Sequence, residues 1–181
     1  MLQLKFWPSH WPQVSAIVAA SVVLWGCGPG QFQTPRPTVG GQGLNSVFTD
    51  SAPALSADGR YVVFSSSRVG SDNIYLYDRQ ARRLLELPRL NSEEDSATSP
   101  DISADGRYIV YVSSELGKSE VFLYDRETRV RENISRRRPG DVRNPTISPD
   151  GRYIAFETNG QGQWDIEIFD RQIVSPPTPE N

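Results

Sequence analysis

"SADGRY" stands at residues 56–61 and again at 103–108, and "SPDGRY" stands at 148–153. The central aspartates, Asp58, Asp105 and Asp150, are 47 and 45 residues apart. A second motif keeps step with the first: "YDR" at 77–79 and 124–126, then "FDR" at 169–171. In every copy the second aspartate follows the first by 20 residues. Self-similarity at a period of about 40–50 residues marks a repeat architecture, in which one supersecondary unit recurs and neighbours bury each other.

The content of the unit is β. Each turn motif is followed by an apolar run, "YVVF", "YIVYV" or "YIAF", then a polar loop, then "NIYLYD", "EVFLYD" or "DIEIFD". Aromatic and β-branched residues dominate these runs, which is strand chemistry. "YIVYV" is apolar on both faces, which predicts a strand covered from both sides. A further hairpin turn, "RQAR" or "RETR", leads into "LLEL" at 84–87 and "VRENI" at 130–134. Four short antiparallel strands per repeat make one propeller blade. The expected fold is therefore all-β: three four-stranded antiparallel blades over 44–175, at about 49–95, 96–140 and 141–175, with a tail at 176–181.

The turn motif has a structural reading of its own. Ser56, Asp58 and Gly59, like Ser103, Asp105 and Gly106 and like Ser148, Asp150 and Gly151, fit a type I turn closed by a glycine in a G1 bulge. Serine and aspartate hydrogen-bond locally, and glycine takes positive φ without strain. Equivalent carboxylates on separate blades do not converge on one metal unless all face a central channel. No cofactor or metal-ligand set is implied.

"SPDGRYIAF" at 148–156 followed by "DIEIFD" at 165–170 resembles the Pro-Asp-Gly repeat of the TolB-like β-propeller family, which also occurs in the propeller domains of prolyl-oligopeptidase-type peptidases. Three copies cover about 53–171. The resemblance implies a non-enzymatic protein–protein interaction module of the Tol–Pal type, concerned with envelope integrity or macromolecule transport, with a Pal-like lipoprotein as the implied partner. The chain departs from that family in having three repeats rather than six and no room for the separate N-terminal α/β domain. Nor does it carry the peptidases' Ser-Asp-His domain. Propellers typically have 4–8 blades, so two solutions remain open: an open array of three blades, or a homodimer that completes a six-bladed ring. In the last repeat Pro176, Pro177 and Pro179 forbid a paired fourth strand. "LNSVF" at 44–48 is positioned to supply it. Glu157 and Glu167 stand where earlier repeats have Ser65 or Val112 and Tyr75 or Phe122, the polar outer face that an open array needs.

The N-terminus reads as targeting. Lys5 supplies a positive region, and residues 14–24, "VSAIVAASVVL", are an apolar run too short to span a bilayer but suited to a signal peptide over 1–26. "LWGC" at 24–27 resembles a bacterial lipobox: Leu24, Gly26 and Cys27 match it and Trp25 departs from it. The expectation is lipidation at Cys27 followed by a Gly/Pro/Gln tether over 27–43. The chain is then anchored to a membrane in the periplasm or cell envelope, with Gly28 leaning to the outer membrane. Cys27 is the one cysteine, so no internal disulfide forms, and the one histidine, His10, leaves with the signal. A net charge of −3 gives no electrostatic footprint for nucleic acid.

Two loops of opposite charge share one phase of the repeat: "NSEEDS" at 91–96, with Glu93, Glu94 and Asp95, and "RRRPGD" at 136–141, with Arg136, Arg137 and Arg138. Together with Trp164 they are the candidate partner-binding residues, since arginine and tryptophan are enriched at interface hot spots. The alternatives are a carboxylate-based hydrolase, which needs an acid pair about 5–9 Å apart, or a remnant of a larger propeller.

Overall fold

The computed structural model describes residues 32–33, 35–36, 42–92, 96–115 and 117–172. Cys27, the signal segment, most of the tether and Glu93, Glu94 and Asp95 lie outside the described residues. The chain divides into residues 1–33 and 34–181, and the second unit carries the fold.

That unit is all-β. The first sheet holds β1 (Asp50–Leu55), β2 (Tyr61–Ser66), β3 (Asn73–Asp78) and β4 (Arg83–Leu85), in that order. The second holds β5 (Ala97–Ile102), β6 (Tyr108–Ser113), β7 (Glu120–Asp125) and β8 (Val130–Asn133). The third holds β9 (Val142–Ile147), β10 (Tyr153–Thr158) and β11 (Asp165–Asp170). All pairings are antiparallel. Among the described residues the third blade has three strands, not the four expected of each blade, and β11 is its outer edge.

Stacking follows the pleat, because alternate side chains of a strand point to opposite faces. Ile109, Tyr111, Phe122 and Tyr124 of the second blade bury against Val63, Ile74 and Leu76 of the first. Val110, Val121 and Leu123, on the other face of the same two strands, bury against Ile147, Ile154 and Phe156 of the third. This is why "YIVYV" is apolar throughout. Full burial of one such side chain contributes roughly 1.5–3 kcal/mol, and the middle blade draws on both faces.

The leading strand β5 neighbours both β1 and β9. Each is kinked at the same phase: the pairing register shifts next to Ala52, Ser99 and Asn144, whose φ values are 49°, 51° and 50°. Such bulges bend a strand and increase its twist.

β4 is short because its pairing is taken over by a side chain. The Ile74 N–H donates to Asn91 Oδ1 at 2.8 Å and Asn91 Nδ2 donates to the Ile74 carbonyl at 2.8 Å. The next blade fixes the turn before it: Tyr124 and Tyr111 donate their hydroxyls to the Pro88 and Leu90 carbonyls at 2.9 and 3.1 Å.

"LNSVF", expected to close the third blade, does not pair with β11. It bends back over the first blade. Arg68, whose side chain is 4% exposed, donates to the Gly43 and Leu44 carbonyls at 3.0 and 3.2 Å and to Asp50 Oδ1 at 2.6 Å. Ser46 donates its N–H to Asp50 Oδ2 at 2.8 Å. A guanidinium withdrawn from water needs acceptors for its fork of donors. The bent segment supplies them, while Arg68 stacks over Phe64 and Tyr75 at 5.2 and 4.7 Å.

Candidate functional site

The three turns are built alike. Ser56 Oγ donates to Asp58 Oδ1 at 2.6 Å, the Arg60 N–H donates to the same oxygen at 2.9 Å, and the Tyr61 N–H donates to Ser56 Oγ at 3.0 Å. Ser103, Asp105, Arg107 and Tyr108 repeat these bonds, as do Ser148, Asp150, Arg152 and Tyr153. Gly59, Gly106 and Gly151 take φ of 66°, 74° and 72°, the left-handed region open to glycine. The Ser56 hydroxyl and Arg60 amide hold the Asp58 carboxyl below its ordinary range, and Ser148 and Arg152 do the same for Asp150. At Asp105 burial pushes the other way and is outweighed by the Ser103 and Arg107 bonds.

The arginine of each turn then clamps the second aspartate of its own blade. Arg60 donates Nε and Nη2 to Asp78 at 3.0 and 2.8 Å. Arg107 makes the two-point contact with Asp125 at 3.0 and 2.7 Å, and Arg152 with Asp170 at 2.9 and 2.8 Å. Asp78 also accepts the Gln80 and Ala81 amides, which start the β3–β4 hairpin. Its side chain is 3% exposed, and the Arg60 bond holds its carboxyl well down, at about 2. The repeat period puts both aspartates in phase but does not show this pairing. The available signal is the constant 18-residue interval from arginine to aspartate in all three repeats.

A clasp joins successive blades. A Cβ on Gly106 would lie 2.5 Å from Tyr61 Cδ2, and one on Gly151 would lie 2.5 Å from Tyr108 Cδ2. These glycines are needed for close approach as well as for φ. Arg126 and Arg171, the arginines of the second motif, lie over the same two rings, 4.6 and 3.9 Å from their centroids. Arg126 also donates to the Gly106 carbonyl, and Arg171 to that of Gly151. Tyrosine faces held under guanidinium add cation–π attraction to apolar burial. Residue type alone carries no signal for this contact, which links residues of different blades.

The rim residues separate into two groups. Arg138 pairs with Glu167 of the third blade at 2.9 Å. Its loop is pinned to the same blade where the Asp141 N–H donates to Asn159 Oδ1 at 2.8 Å. Arg136 and Arg137 are exposed, and a groove beside the β11 edge is lined by Ile134, Arg136, Arg137, Arg138, Ile168 and Phe169. The loop that ends in Trp164 lies against the loop of Arg138, Gly140 beside Asn159 and Gly160 beside Pro139, and Trp164 takes its outward side. It lies under Arg143, 3.8 Å from guanidinium to ring centroid, and Arg143 pairs with Glu157 at 2.6 Å. Trp164 therefore belongs to the outward face of the last blade. Among the described residues, no three His, Cys, Asp or Glu gather in a geometry that holds a metal ion.

No protein-family model matches the chain, and no curated protein matches it. Solved structures do. TolB from Acinetobacter baumannii is similar with a TM-score of 0.55 and 22% identity, over 69% of this chain and 30% of that one. The putative TolB from Agrobacterium tumefaciens is similar with a TM-score of 0.57 and 21% identity, over 68% of this chain and 46% of that one. The β-propeller domain of the Trilobed protease from Pyrococcus furiosus, described as having an open velcro topology, gives 0.51 and 24%, over 68% of this chain and 39% of that one. The fold is thus that of a TolB-like β-propeller in part: the chain spans under half the length of each of these structures. The same blades occur in a protease and in TolB, so the fold does not decide between catalysis and binding.

Proposed function

We propose that this is a non-enzymatic interaction module, anchored through a lipid on Cys27 in the cell envelope, which presents its propeller rim to a protein partner. The observation that carries the reading is the rim itself. Arg136 and Arg137 stand exposed beside a groove at the β11 edge, which is unpaired among the described residues, whereas the six aspartates of the repeat motifs are engaged in their own turns and clamps. A free strand edge offers backbone donors and acceptors to an extended segment of a partner. The guanidinium forks select for acidic side chains on that segment. The TolB-like fold supports an envelope partner of the peptidoglycan-associated lipoprotein type.

The test is affinity capture from detergent-solubilised envelopes, scored for a peptidoglycan-associated lipoprotein. The native chain is expected to recover it and the Arg136→Glu/Arg137→Glu variant to lose at least tenfold of the yield. Equal recovery by both chains, or none by either, overturns the reading.

A further inference from the structure

The two buried junctions repeat one set of contacts, and each end of the array exposes part of one half of that set; on the first blade Val62 and Phe64, in phase with Ile109 and Tyr111, are already buried, and Leu55 is exposed. On the leading side of a junction stand a tyrosine and two apolar residues of the third strand of the blade. At the first junction these are Tyr61, Ile74 and Leu76, and at the second they are Tyr108, Val121 and Leu123. The four aliphatic side chains are at most 4% exposed. On the trailing side stand a turn glycine and the last apolar residue of the first strand of the next blade, Gly106 with Ile102 and Gly151 with Ile147. Those isoleucines are 5% and 7% exposed.

The last blade carries the third copy of the leading set with no further blade against it among the described residues. Tyr153 is 41% exposed, and Ile166 and Ile168 are 68% and 69% exposed. The first blade carries the third copy of the trailing set. Leu55, in phase with Ile102 and Ile147, is 58% exposed. A Cβ on Gly59 would meet only an Arg79 nitrogen at 3.4 Å among the described residues, where Gly106 and Gly151 meet a tyrosine ring.

We propose that a second copy of the chain supplies the missing half at each end. The Tyr153–Ile166–Ile168 face of one chain packs on the Leu55 and Gly59 end of the other, and a twofold axis closes six blades into a ring. Both junctions then form at once and no end remains, so the heterologous contact does not propagate into fibres. Six blades fall within the range in which propellers close. The charges on the face are already matched within the chain, since Glu157 bonds Arg143 at 2.6 Å and Asn144 Nδ2 at 2.9 Å. Covering them strands no charge. The Arg68 cap lies over Phe64 and Tyr75, farther along the sheet from Gly59, so the new junction uses the turn half of each face. It also lacks one backbone bond of the internal junctions. The Ala57 N–H donates to the Ala104 carbonyl and the Ala104 N–H to the Pro149 carbonyl, each at 3.0 Å, whereas Pro149 has no N–H to pass on.

The full chain in detergent, its protein mass measured by sedimentation after correction for bound detergent, is expected to hold two copies per particle. Leu55→Arg and Ile168→Arg are each expected to raise the dimer dissociation constant at least tenfold. Leu55→Asp combined with Ile168→Arg is expected to restore the dimer, because their equivalents, Ile102 with Leu76 and Ile147 with Leu123, share one buried cluster at each internal junction. Thermal unfolding of the dilute chains should be unchanged, both positions being exposed in a single copy. A one-copy mass at every concentration overturns the proposal, as does a mass growing beyond two. Loss with Ile168→Arg but not with Leu55→Arg overturns it in favour of a face-to-face contact. A dimer that survives both substitutions is held by some other segment and overturns it as well. Ile168 also lines the partner groove, so capture is scored with Arg136→Glu/Arg137→Glu and the assembly by mass with Leu55→Arg, which lies outside that groove, and either can fail alone.

Discussion

Gly59 and Gly106 occupy the same place in the same six-residue motif, with nearly the same φ, 66° and 74°. One looks out from the first blade and the other is pressed against Tyr61 of the blade before it. An identical sequence thus meets two different demands: at Gly59 the backbone alone requires glycine, and at Gly106 backbone and packing both do. The contrast recurs across the molecule. Ile154 is fully buried in the second junction, while Ile166, one strand away, is 68% exposed on the last face. What a repeat residue contributes depends on whether a neighbouring blade covers it.

The largest effects should therefore come from residues inside junctions. Ile154→Ala removes a side chain with no exposure and is expected to cost about 2–5 kcal/mol by denaturant titration. Ile166→Ala, measured on dilute chain, should stay within about 0.5 kcal/mol. Comparable losses would mean that the outward face is covered within a single copy. For the glycines, Gly106→Ala incurs the left-handed penalty of roughly 1–2 kcal/mol plus a clash that must be relieved by moving Tyr61, worth a further ~1–3 kcal/mol. Gly59→Ala should show only the first. Equal values for the two would erase the distinction between the end of the array and its interior.

Much of this was legible in the sequence. The period, the strand runs and the turn chemistry are local properties, and they place the strands of the first two blades and three strands of the last. The clamps and clasps were not legible, because Arg60 with Asp78 and Tyr61 with Gly106 meet only after sheets form and stack. "LNSVF" misleads for a related reason. Its residues suit a strand, but the Arg68 guanidinium and the Asp50 carboxylate draw it into a bend that satisfies buried charge. The rim was half legible. The phase placed Arg136 to Arg138 in the loop joining the second and third blades with the Trp164 loop beside it, as Asp141 and Asn159 show, but did not show the stacking of Trp164 on Arg143.

The clamps lie within blades, so they should respond alike at the ends and in the middle, and pH tests this. The folded-state pKa of Asp78 is lowered to about 2 by Arg60, below an unfolded value near ~3.9. Its stabilising contribution is fully present above the unfolded pKa and is lost as pH falls through the folded one. The stability gap between the native chain and Asp78→Asn is expected to be constant from pH 7 down to about 5 and to shrink toward zero by pH ~2. Asp125 and Asp170 are lowered by the same first cause, their arginine partners Arg107 and Arg152, and the corresponding asparagine variants should trace the same direction. A gap that widens on acidification would show that the carboxylates are not stabilised in the folded state.

The smallest expected effect is also the cleanest control. Arg82 and Arg129 occupy the β3–β4 and β7–β8 hairpins at the same phase, both in left-handed backbone at φ 53° and 60° and both exposed. A side chain there costs roughly 1–2 kcal/mol, while glycine carries its own unfolded-state entropy of about 0.4–1 kcal/mol. Arg82→Gly and Arg129→Gly should each raise stability, by roughly 0.5 kcal/mol net of the two terms. Neither side chain lies in a junction, so the gains should be equal although one blade is terminal and the other internal. If Arg129→Gly gained clearly less than Arg82→Gly, the middle blade's outer hairpin would be under a constraint from its neighbours. The division between junction and blade would then have to be redrawn to include it.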